Sequence, residues 1–259
     1  MRAVWLMILL LSTMAATAQA APPPGWAPDV EAARRYALER PGSVFFAVRT
    51  EQRVWGHRTY AGVRSASVVK AMLMVAYLNH RAVRRRPLRA ADKALLRPMI
   101  RASDNLAATR VRNFVGNAAL TRLARRARMT RFRVHPLWGL STINAAGQSR
   151  FFLRLPELTA ERHRAYALRE LAAIVPEQRW GIGQVIPRGW TAHFKGGWGS
   201  GIGLVDHQVA LLRRGDQRVA IAVLTTGNPS HAAGKRTLEG VFRRLTRGLA
   251  RVPVTQPED

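Results

Sequence analysis

Three short stretches carry side chains able to activate a hydroxyl. They are Ser67 and Lys70 in "SASVVKAML" (65–73), Ser103-Asp104-Asn105 in "RASDNLAATRV" (101–111) and Lys195-Gly196-Gly197 in "AHFKGGWGSG" (192–201). The lysines stand out because the chain writes nearly all its positive charge as arginine: of 42 basic residues only Lys70, Lys93, Lys195 and Lys235 are lysines. Arginine stays protonated at any pH a fold survives, whereas a buried lysine can shed its proton and act as a base. At i and i+3 on a helix, Ser67 and Lys70 would lie on one face, within hydrogen-bonding reach. A serine hydroxyl is a weak nucleophile until a base takes its proton. At the reference lysine pKa, deprotonation at pH 7 costs about 4–5 kcal/mol, which burial and a nearby cation reduce.

Each stretch alone also has a plainer reading. With nine serines and four lysines, S-x-x-K arises by chance in roughly one such chain in seven. Ser103 or Asp104 can simply cap the helix that follows. The Lys195-Gly196-Gly197 segment can be a strand running into a turn, although glycines there would also let a ligand lie along the strand edge.

The elements around these stretches read as follows. Residues 27–42 form a helix stopped by Pro41-Gly42, and 43–50 and 53–60 a hairpin. A buried helix runs from Ser67 to about Asn79, and a mostly helical middle covers 91–101, 103–113, 117–128, 143–154 and 159–174. Strands at 189–197, 203–214 and 218–227 precede a closing amphipathic helix at 231–250. The expected fold is α+β: a five-stranded antiparallel sheet flanked by N- and C-terminal helices. An all-helical lobe, about residues 67–176, is inserted between strands 2 and 3.

In their order along the chain, the three motifs resemble the signature set of the penicillin-recognising serine enzymes: S-x-x-K on a helix, then S-D-N, then K-[ST]-G on a strand. The chain looks like a member of the β-lactamase and penicillin-binding protein superfamily, nearest the class A branch, from about residue 28 to 250. "STINAAGQSRFF" (141–152) resembles the segment after that family's Ω-loop. The resemblance implies that Ser67 is acylated, Lys70 is its general base and Ser103 passes a proton to the leaving group. It implies that Asn105 holds the substrate amide, Asp104 braces its loop, and Lys195 anchors a substrate carboxylate and keeps Lys70 neutral. The backbone N–H groups of Ser67 and Trp198 would form the oxyanion hole, where losing one donor costs about 10²–10³ in rate.

The pattern is broken in two chemical respects, and the lobe is shorter than the family's. Gly196 stands where K-[ST]-G has its hydroxyl, which weakens carboxylate recognition by about 1–3 kcal/mol. Between Asp104 and Glu157 there is no Asp or Glu, so the Ω-loop glutamate that activates water in class A enzymes has no counterpart. Acylation is expected to survive and class A deacylation to be poor, on β-lactam-like, peptide or ester substrates. The alternative is a catalytically weak or inactive protein of this fold that binds anionic cell-envelope polymers.

Composition sets the remaining bounds. The chain has 259 residues and is 47% apolar, long enough for a substantial core. Without cysteine it has no disulfide or catalytic thiol, and its scattered histidines suggest neither metal nor cofactor. Residues 1–20 read as a signal peptide cleaved after Ala20, giving a secreted or periplasmic protein with no membrane span thereafter. Residues 21–27 form a proline-rich lead-in and 251–259 a loose tail. A net charge of +27 suits polyanions, yet no nucleic-acid module is present. The basic runs at 81–89 and 122–133 read first as solvated helix faces. A monomer acting on a small molecule or peptide is expected.

Overall fold

A computed structural model describes residues 25–251. The elements follow in order: α1 (Val30–Leu38), β1 (Ser43–Arg49), β2 (Val54–His57), β3 (Val63–Arg64), α2 (Lys70–Leu78), α3 (Ala90–Arg101) and α4 (Asn105–Arg126). Then come β4 (Thr142–Ile143), α5 (Ala145–Leu153), α6 (Leu155–Leu158), α7 (Arg164–Ala172), β5 (Thr191–Gly199), β6 (Val205–Arg214), β7 (Gln217–Thr226) and α8 (His231–Leu245). The expected signal peptide, most of the lead-in and nearly all of the tail lie outside the described residues.

The main sheet is antiparallel in the order β2-β1-β7-β6-β5, so the N-terminal hairpin joins the C-terminal strands through β1 and β7. β6 and β7 are buried almost throughout, as runs such as "RVAIAVLTT" require: layers cover both faces of the sheet. α1 and α8 pack together over one face, and α5 covers the other. The helical lobe stands between the second and third strands of this sheet, as expected.

The differences from the sequence reading are local. A second, two-stranded sheet pairs Val63 with Ile143 and Arg64 with Thr142; two residues a side are too few to leave a periodic signal. The buried helix begins as a 3₁₀ turn over Ala66–Val69 before α2. The segments expected at 103–113 and 117–128 form one span, α4, broken at Gly116 with φ 73° and ψ 160°. Exposed Arg122, Arg125 and Arg126 alternate on the end of α4 with buried Leu123 and Ala124, a wet helix face. The remainder of that basic run lies beyond α4, and the run at 81–89, also expected on a helix face, lies in the turns between α2 and α3. Among the described residues, no helix is long and apolar enough to cross a membrane.

Candidate active site

Ser67 sits in the 3₁₀ turn ahead of α2, half-buried on the wall of an open cleft of about 400 Å³. Lys70 opens α2, a helix whose nine residues are all buried, so the aliphatic body of the lysine belongs to the core and only its amine needs polar partners. Those partners come from the start of α4. Lys70 Nζ lies 2.5 Å from Ser103 O, 2.7 Å from Asn105 Oδ1 and 3.1 Å from Ser103 Oγ. Asp104 caps α4, its carboxylate accepting from Ala107 N at 2.6 Å, which fixes the residues on either side of it. The capping role and the bracing role are therefore the same role.

Lys195 arrives from β5, fully buried. Its Nζ donates to Gly196 O at 2.9 Å and reaches Ser103 Oγ at 3.0 Å. One hydroxyl thus lies between two buried amines. Burial lowers the Lys70 pKa from its ordinary value to about 7, with the Asp104 charge acting the other way. Burial, and then the neighbouring Lys70, holds Lys195 well below the usual lysine range. The pattern fits a neutral Lys70: two N–H donors go to the two carbonyl oxygens, and its lone pair accepts from the Ser103 hydroxyl, which itself accepts from Lys195. Ser67 Oγ is not among the atoms bonded to Lys70 at rest, which differs from the direct Ser67–Lys70 bond that the spacing suggested. The 3₁₀ start rotates the serine relative to a continuous α-helix.

The backbone is tight here. Ala66, just before Ser67, has φ 43°, and Ser103 has φ 59°; non-glycine residues adopt this region at a cost of about 1–3 kcal/mol each. A Cβ added at Gly197 would lie 2.7 Å from Ser67 N and 2.8 Å from Val68 N, so glycine lets β5 pass directly against the amides of the serine turn. That approach suits an oxyanion hole at Ser67 N and Trp198 N. Trp198 is 39% exposed on the cleft wall. Trp180 and Trp190 are buried packing residues instead.

Three features were missed in the sequence. The Trp138 ring lies 4.8 Å from Lys70 Nζ, and its Nε1 donates to Thr109 Oγ1 at 3.2 Å. His231 stacks on Trp198 with centroids 5.5 Å apart, and its Nδ1 lies 2.5 Å from the buried Asp206 Oδ1. Burial raises the Asp206 pKa against the opposing hydrogen bond from His231. Arg112 also lines the cleft. None of these belongs to a short motif, and only tertiary contact connects them with Ser67. Among the described residues the cleft wall holds no Asp or Glu; Glu157 pairs with Arg218 and Glu170 with Arg101. No group of three or more His, Asp or Glu side chains is arranged to hold a metal ion among the described residues.

A serine at the mouth of a helix, two buried lysines and a bridging hydroxyl, set between a sheet and a helical lobe, define a serine hydrolase of the β-lactamase fold. The chain belongs to the β-lactamase enzyme family, whose profile matches residues 83–249. That span includes Ser103 to Asn105 and Lys195 to Gly197, while Ser67 and Lys70 precede it. Curated protein sequences give no significant match. Among solved structures, a β-lactamase from Sphaerobacter thermophilus is similar at 20% identity and TM-score 0.73, covering 87% of this chain and 98% of its own. A class A β-lactamase from Mycobacterium abscessus is 20% identical at TM-score 0.72, covering 85% and 99%. The structure of PBP-A is 14% identical at TM-score 0.71, covering 86% and 96%. These likenesses concern the fold.

Proposed function

We propose that the protein is a secreted acyl-serine hydrolase that acylates Ser67 efficiently and releases the acyl group slowly. The observation that carries this reading is the Ser103 hydroxyl held between Lys70 and Lys195, with Lys70 following directly on the 3₁₀ turn that carries Ser67. When a substrate carbonyl enters the cleft, the Ser103 hydroxyl, on the longest of the three Lys70 contacts, turns away and frees the lysine lone pair. Lys70 then takes the Ser67 proton as Ser67 Oγ bonds to the carbonyl carbon. The oxyanion is held by Ser67 N–H and Trp198 N–H, and the leaving group receives its proton through Ser103 as the scissile bond breaks. Asn105 Oδ1 stays on Lys70 while its amide N–H group is available to a substrate carbonyl.

Slow release is supported by what surrounds Lys70. The indole of Trp138 flanks the amine, and among the described residues no carboxylate lines the cleft to activate water. Substrates are β-lactam-like compounds, peptides or esters. Lys195 was expected to anchor a substrate carboxylate, but its amine is buried on Ser103 Oγ and Gly196 O, away from the cleft wall. Its part is to hold Ser103 and, with no hydroxyl at position 196, the carboxylate is met by neither. Export is supported by the signal-like first twenty residues. The reading is tested by incubating the mature protein with a fluorescent penicillin: covalent label is expected on wild type and not on Ser67→Ala or Lys70→Ala. Equal labelling of Ser67→Ala would remove Ser67 as nucleophile.

A further inference from the structure

Arg112 is the single charged side chain on the catalytic cleft wall among the described residues. It follows Asn105 by seven residues on α4, with Thr109 between them. Seven residues turn a helix through about 700°, nearly two full turns, and advance it about 10 Å. Asn105, Thr109 and Arg112 therefore form one row along the cleft, leading away from Ser67. Beside this row the cleft is lined by Leu137, which is 64% exposed, and by Trp138, whose indole N–H is bonded to Thr109. Arg112 Nε is shielded from solvent and has no hydrogen-bond partner, and no described carboxylate pairs with its guanidinium. Elsewhere in the chain, arginines near an acid use it, as Arg86 does Asp92 and Arg218 does Glu51.

We infer that Arg112 recognises a carboxylate at the far end of the substrate's acyl group, about 10 Å from the carbonyl that Ser67 attacks, across an apolar stretch that lies over Leu137 and the cleft side of Trp138. The inference rests on the acyl-serine reading above and adds the substrate class. A guanidinium matches a carboxylate with two parallel N–H···O bonds, and a partly desolvated pair of this kind discriminates against a neutral isostere by about tenfold or more. An ammonium at the same place is repelled.

The test uses three glycine thioesters that differ only at the far end: adipoyl (carboxylate), adipamoyl (neutral amide) and 6-aminohexanoyl (ammonium). Binding is measured by calorimetry on Ser67→Ala, which cannot be acylated. The adipoyl ligand should bind about tenfold tighter than the adipamoyl ligand, and the aminohexanoyl ligand weakest. In Ser67→Ala/Arg112→Ala the ratio should fall to near one, and Arg112→Lys in the same background should retain part of it. Ser67→Ala/Arg110→Ala, which removes an exposed charge from the same helix, should keep the preference. An unchanged ratio without Arg112, an equal loss without Arg110, or no binding of the adipoyl ligand overturns the inference. Acylation of wild type by the same thioesters is followed separately by intact mass. Failure to acylate would count against the function proposed above, while the binding ratio would still decide the role of Arg112.

Discussion

Trp180 fills the space that a side chain at position 196 would need. A Cβ built on Gly196 would lie 2.8 Å from Cη2 and 2.9 Å from Cζ2 of the indole. The ring is itself fixed, buried and edge-on to Trp198 and His231 at 6.0 and 5.6 Å between centroids. The hydroxyl that the β-lactamase family carries here is thus excluded by packing as well as missing from the sequence. Gly196→Ser should lower stability by about 1–3 kcal/mol through overpacking. In a Trp180→Ala background the same substitution should cost much less. Urea unfolding of the four proteins reads this coupling, and equal penalties in both backgrounds would contradict it.

The pH dependence of acylation should follow Lys70. Only the neutral amine accepts the Ser67 proton, and burial sets its pKa at about 7. The acylation rate should rise through that pH, falling about tenfold per unit well below it. Lys70→Arg should fold and remain inert, because a guanidinium does not deprotonate. Stopped-flow acylation between pH 5 and 9 checks both expectations.

The same shift bears on stability. The folded chain gives up the Lys70 proton near pH 7, while the unfolded chain keeps it until about 10.5. Between those values the unfolded state binds more protons, so stability rises with pH across that window. Lys195, also depressed, contributes with the same sign. Lys70→Met should flatten part of the rise in urea midpoint between pH 7 and 9; a slope indifferent to this substitution would count against the depressed pKa.

Ser103 has two roles that substitution can separate. Its hydroxyl is shared by both amines, so Ser103→Ala and Ser103→Gly should each reduce acylation by about 10²–10³. Its backbone lies at φ 59°, where glycine is unstrained and alanine is not. Ser103→Gly should therefore melt no lower than Ser103→Ala, although both acylate slowly. A lower melting temperature for the glycine variant would argue against strain at this position.

Much of this site was legible in the sequence because its lysines are rare and its motifs short. Ser67 with Lys70, Ser103 with Asn105 and Lys195 with Gly197 each fall within four residues, where helix or strand spacing governs. The sheet was legible for a related reason: β6 and β7 are long apolar runs around a tight turn. What escaped notice lies between elements. Trp138 meets Lys70 across 68 positions of chain, and His231 meets Asp206 from the start of a different element. The short pairing of β3 with β4 and the 3₁₀ start at Ala66 depend on the same long-range packing, for which local periodicity has no signature.

The most direct test of the account is the fate of a single acyl group on Ser67. Purified protein mixed with a stoichiometric penicillin should gain the mass of the intact ligand, on the peptide that contains Ser67, within minutes at pH 8. It should hold that mass for hours, because the described cleft wall offers no Asp or Glu to activate water. Rapid return to the unmodified mass with turnover of excess penicillin, or an adduct that survives in Ser67→Ala, would contradict it.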